Sequence, residues 1–129
     1  MITVELTNRS VLFVPELDLE SMKELPGKDT MQAVVSKFGE TARCSPLIQD
    51  SHGWCFYVHA DDGRKYLVEL GYARTENGAS AWFLSCARCT GWRLWEFFGS
   101  RATVGRERIL LDRGVEFLTS QFGYERVVA

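Results

Sequence analysis

The sequence predicts an α+β fold: an antiparallel meander sheet of about four to six strands packed by a long C-terminal helix, with an N-terminal hairpin and one or two short helices. Three observations carry this expectation. Four consecutive segments between residues 54 and 98 alternate side-chain character with the two-residue period of strands, and Gly- or Asn-containing turns separate them. Residues 103–123 follow the helical period instead. The 129 residues, 46% hydrophobic and 25% charged, suffice for a core without disulfides or metal, so residues 1–129 read as a single domain.

The elements follow in order. Ile2, Val4 and Leu6 alternate with polar residues, Thr7 to Ser10 is turn-like, and Val11 to Val14 is a short apolar run before Pro15; together they predict the hairpin. Asp18 caps a short helix through Leu25, which Pro26-Gly27 stops. A second helix is expected from the capping-box spacing of Asp29 and Gln32, the stripe Met31, Val34, Val35 and Phe38, and Gly39 as a C-terminal stop. Residues 40–53 show no period and read as a loop, with a short edge strand at Pro46 to Gln49. The meander strands are expected at Trp54 to Ala60, Lys65 to Ala73, Ala81 to Ala87 and Trp92 to Phe98. In the last helix Leu111, Val115, Leu118 and Phe122 share a stripe, with Leu110 and Phe117 beside it and Gly123 as a stop. Gly114 costs that helix about 1 kcal/mol relative to Ala, which points to a close approach to the sheet. Tyr124 to Val128 adds a last strand.

Register follows from the faces. Trp54, Phe56 and Val58 share one side of their strand, and Tyr66, Val68, Leu70 and Tyr72 share one side of the next, so burying both sets requires even-to-even pairing. A three-residue loop over Asp61-Asp62-Gly63, with Gly63 in a bulge, provides that parity and sets Phe56 beside Val68. Trp82, Leu84 and Cys86 continue the same inward face under the long helix. The odd face carries Cys55, Tyr57, His59, Leu67, Glu69, Phe83, Ser85, Arg93, Trp95 and Phe97, which is more apolar than a solvated face requires. Either the N-terminal hairpin and its helices cover it, or part of it stays open for a ligand or partner.

Candidate chemistry concentrates in few places. Cys86-x-x-Cys89 followed by Gly91 has the form of a zinc knuckle, and His52-x-x-Cys55 offers a second pair of ligands. The register opposes convergence, because Cys55 faces the odd side and Cys86 the even, and an extended strand holds Cys86 and Cys89 about 10 Å apart. A redox motif would need a helix after the first cysteine, where an alternating segment stands. Asp50-Ser51-His52 has the residue types of a hydrolase triad without the geometry, and reads as a solvated loop. His59 with Asp61 or Asp62 is explained by a hairpin corner. Gly105, Arg106 and Arg108 form no Walker loop, and the arginines read as solvent-facing beside Glu107 and Asp112. No catalytic set emerges.

Charge bounds the partners. The total is −2 with 15 basic and 17 acidic residues; residues 1–64 hold 6 basic and 10 acidic groups, and residues 65–129 hold 9 and 7. This balance, with no RNP-type sequence, argues against nucleic acid despite the arginines and aromatics of residues 88–101. No basic, apolar leader opens the sequence and no run approaches the roughly 20 apolar residues of a bilayer span, so the expectation is a cytoplasmic chain with reduced cysteines and no membrane partner. The leading function is a small binding or adaptor protein that holds a protein partner or ligand on the aromatic sheet surface, with Tyr57, His59, Phe83, Arg93, Trp95 and Phe97 as contacts. One alternative is a zinc- or thiol-dependent protein built on Cys86 and Cys89 with His52 and Cys55. Another is a small-ligand enzyme with an aromatic pocket around His59 and Arg93. A homodimer through the odd face or an edge strand is a further expectation.

Overall fold

A computed structural model describes residues 2–7, 25, 27–51, 53–61, 63–74, 80–89 and 100–127. In chain order the elements are β1 (Ile2–Thr7), α1 (Lys28–Gly39), β2 (Arg43–Cys44), β3 (Ile48–Gln49), β4 (Gly53–His59), β5 (Lys65–Arg74), β6 (Ser80–Arg88), α2 (Ser100–Phe122) and β7 (Glu125–Arg126). The strands form one antiparallel sheet in the order β2-β4-β5-β6-β1-β7, with β3 also paired to β4. This is the α+β architecture that the side-chain periods predict.

The meander has the expected parity. Phe56 pairs with Val68 and Val68 with Cys86. The turn that sets it spans Ala60 to Arg64: the Ala60 N–H donates to the Arg64 carbonyl at 2.9 Å, and Gly63 takes φ 79°, a conformation that glycine adopts without a Cβ penalty. β1 joins the other side of β6 with Val4 opposite Leu84 and Leu6 opposite Trp82, so its even residues extend the same face. β7 then pairs Arg126 with Leu6 and Glu125 with Thr7. The first strand is therefore flanked by β6 along its length and by β7 at Leu6 and Thr7. The segments expected at Val11 to Val14, from Asp18 to Leu25 (apart from Leu25) and at Trp92 to Phe98 lie outside the described residues.

Both helices lie on the even face. Met31, Val34 and Phe38 of α1 and Leu110, Leu111, Val115 and Leu118 of α2 bury themselves with Phe56, Val68, Leu70, Trp82 and Leu84 in one cluster. The Phe38 and Phe56 rings stand 5.7 Å apart. A Cβ on Gly114 would sit 3.0 Å from Leu84 Cδ2 and 3.7 Å from Phe38 Cζ, so this glycine admits the close approach of α2 to the sheet. The placement of α1 on the even face takes this helix out of the cover that the N-terminal elements are expected to give the odd face; the other expected elements, apart from β1, lie outside the described residues. One helix is about 10 Å wide, too narrow for a face of several strands, and the apolar stripe of α1 completes the cover beside α2.

The helix ends also differ from expectation. Gly27 is the N-cap of α1, at φ 99°, and no side chain caps it, so the Asp29–Gln32 capping box is not formed. A Cβ on Gly27 would lie 3.1 Å from Trp82 Cζ3, and this packing fixes the helix start two residues before Asp29, which instead places its carboxylate in the positively polarised first turn. Gly39 is the last helical residue; Glu40 is the C-cap, in right-handed geometry, and its N–H donates to the Lys37 carbonyl at 3.3 Å. In α2, Glu107, beside the partly exposed Arg106 and exposed Arg108, is only 6% exposed and accepts the Arg88 N–H at 2.9 Å. Arg106 pairs with Asp61 at 2.7 Å and Asp112 with Arg126 at 2.9 Å, tying α2 to the first turn and to β7. Among the described residues no helix is long and apolar enough to cross a membrane.

Candidate functional site

The odd face is built in rows by the strand register. Arg43, His59 and Lys65 form one end. Tyr57, Leu67 and Ala87 follow, then Ile48, Cys55, Glu69, Ser85 and Thr3, and then Gly53, Gly71, Phe83 and Glu5. Tyr57, His59, Leu67, Glu69, Phe83 and Glu5 are half-buried, while Cys55 and Ser85 are buried. The Lys65 Nζ stands 4.0 Å over the Tyr57 ring, a cation–π contact that holds both side chains upright on the surface. Tyr57, His59 and Phe83 of the expected contact set thus share one face; Arg93, Trp95 and Phe97 lie outside the described residues.

The cysteine set does not come together. Cys86 is fully buried on the even face, Cys55 faces the odd side, and His52 lies outside the described residues. Burial, then the charge of Glu107, pushes the Cys86 thiol up to about 12. Burial also raises Cys44 and Cys89, with Lys65 opposing the rise at Cys89. These thiols stay protonated at neutral pH, which suits packing rather than thiolate chemistry.

A different cluster does form. Cys55 and Glu69 are direct cross-strand partners, and the β3–β4 hairpin, which pairs Ile48 with Cys55, brings Asp50 over them. The ligand-type atoms of Asp50, Cys55 and Glu69 all lie within 4.8 Å of one another. The Asp50 N–H donates to the Gly53 carbonyl at 2.9 Å and the Gly53 N–H donates to Asp50 Oδ1 at 2.8 Å, fixing the carboxylate. Burial raises Glu69 to about 7, and the hydrogen bond and charge of Asp50 add to the rise. Burial, then the charges of Asp50 and Glu69, raises Cys55 to about 11. Two carboxyl groups next to a thiol are an arrangement that strand parity half contains, since the Phe56–Val68 register sets Cys55 opposite Glu69. Asp50 carries no such signal, because the hairpin that delivers it interrupts an aperiodic stretch.

The helical side has clefts of another character. One of about 430 Å³ lies between the end of α1 and α2, lined by Lys37, Glu40, Thr41, Arg113, Glu116 and Ser120 among others. It is charged and open, unlike an aromatic pocket. Comparison with family models, with curated proteins and with solved structures finds no match, so the functional reading rests on this geometry.

Proposed function

We propose that this chain is a non-catalytic protein-binding module, acting in the cytoplasm, whose interface is the odd face of the sheet and whose first partner is a second copy of itself. One observation carries the reading: two helices close the even face, whereas Tyr57, Leu67 and Phe83 on the other side stay only half-buried. Aromatic side chains of this kind are the usual anchors of interfaces, and Lys65 over Tyr57 is an amphipathic rim contact. His59 belongs to the same patch. The charge layout favours self-pairing. Arg43, His59 and Lys65 stand at one end, Glu5 and Glu69 toward the other, so a two-fold axis lying in the interface plane across the strands sets each copy's basic end over its partner's acidic end. The four free cysteines accord with a reducing compartment.

Sedimentation velocity over a concentration and salt series tests this. The expected result is a dimer that weakens as salt rises, that Tyr57→Ala weakens at least tenfold, and that Lys65→Glu disrupts but Lys65→Glu with Glu5→Lys restores. A strict monomer at every concentration overturns the proposal.

A further inference from the structure

We propose that Asp50, Cys55 and Glu69 bind a borderline divalent cation of the zinc class, through one thiolate sulfur and two carboxylate oxygens, with a fourth position left for water. The inference is independent of self-pairing, although the site lies on the same face.

Three features carry it. First, the donors converge from fixed backbone: Cys55 and Glu69 face each other across β4 and β5, and Asp50 is set by its two hydrogen bonds with Gly53. Tetrahedral zinc with oxygen and sulfur ligands needs donor separations of about 3.3–3.8 Å, and the three donor atoms already lie within 4.8 Å of one another, so the set closes by a small contraction of the side chains onto the ion. Second, the donor set is mixed. One soft sulfur with two hard oxygens suits zinc or cobalt rather than calcium or magnesium, which take oxygen alone. Third, the position is half-buried yet anionic. Cys55 is 6% exposed, and the cations of this face among the described residues stand at its far end, Lys65 being four residues along β5 from Glu69, or about 13 Å.

The exchange balances. Cys55 surrenders its thiol proton and the carboxyl pair surrenders the proton it shares, while the two positive charges of the metal arrive. Proton release thus offsets the incoming charge of the metal at this partly desolvated position. Gly53 keeps the geometry: a Cβ there would lie 2.1 Å from the Leu70 carbonyl oxygen, so only glycine lets the hairpin close down over β5.

The test is titration of the reduced, chelator-stripped full chain with Co²⁺. The expected result is one equivalent bound with a thiolate-to-cobalt charge-transfer band, displaced by Zn²⁺. Glu69→Gln, which preserves shape, weakens binding at least tenfold, Cys55→Ser abolishes the band, and Cys89→Ser leaves it intact. Circular dichroism establishes that each variant is folded, and the Glu69→Gln result stands if Cys55→Ser is not. Absence of the band in the wild-type chain, its survival in folded Cys55→Ser, or binding that Glu69→Gln leaves unchanged overturns the proposal. All of these measurements hold for the monomer, so they separate this site from the interface reading.

Discussion

Glu69 shows how one side chain couples stability to acidity. Its raised folded value, about 7 against an ordinary 4.5, arises from burial first and from Asp50 second. The folded state then keeps a proton that the unfolded chain has released. The contribution is full below pH 4.5 and is lost as pH rises through 7. The difference in urea midpoint between the metal-free wild type and Glu69→Gln should therefore move in favour of the neutral variant across this window, and a pH-independent difference would contradict the assignment. Cys55 opposite Glu69 is legible in the sequence, because parity alone fixes which residues meet across a two-residue period. Asp50 was not legible: the aperiodic segment that holds it reads as a solvated loop, and its carboxylate gains its role only when Gly53 turns the chain back.

At the scale of elements, close approaches matter more than propensity. Gly53→Ala drives a Cβ into the backbone of Leu70, which cannot rotate away, so the variant should lose the β3–β4 hairpin and, by moving Asp50, cobalt binding as well. Gly114→Val instead meets the tip of Leu84 and should cost about 1–3 kcal/mol by overpacking, measured by chemical denaturation, with metal binding unchanged. The two substitutions separate the two faces of one sheet. Strand identity and register of the first three meander strands were legible because alternation and the Asp61-Asp62-Gly63 turn agree with each other, whereas the far side of β6 is taken by β1 and the expected fourth strand lies outside the described residues. The side on which α1 packs was not, since an amphipathic stripe states that a helix is covered but not which surface covers it. Its start was also misplaced, because the left-handed Gly27, with no room for a side chain beside Trp82, begins the helix two residues before the capping signal at Asp29.

In the molecule as a whole, local and distant pairings coexist. β4, β5 and β6 are joined by neighbours in sequence, whereas β1 must find β6, with Ile2 opposite Cys86. Loop closure over that span is costly, so the meander should form first and β1 last. Pulse-labelling hydrogen exchange during refolding tests this: the amides of Val68 and Leu70 should gain protection before those of Val4 and Leu6, and simultaneous protection would rule the order out. The insertion of β1 was invisible to pattern reading, because nothing in a single strand names a partner so distant in the chain. The pairing of β7 with β1 has a mechanical consequence. Arg126 lies beside Leu6 and the Val127 N–H donates to the Glu5 carbonyl at 3.0 Å, so the chain leaves β7 in the direction from which β1 arrives. Traction on these two ends peels their hydrogen bonds apart singly, like a zip, instead of loading them all in shear.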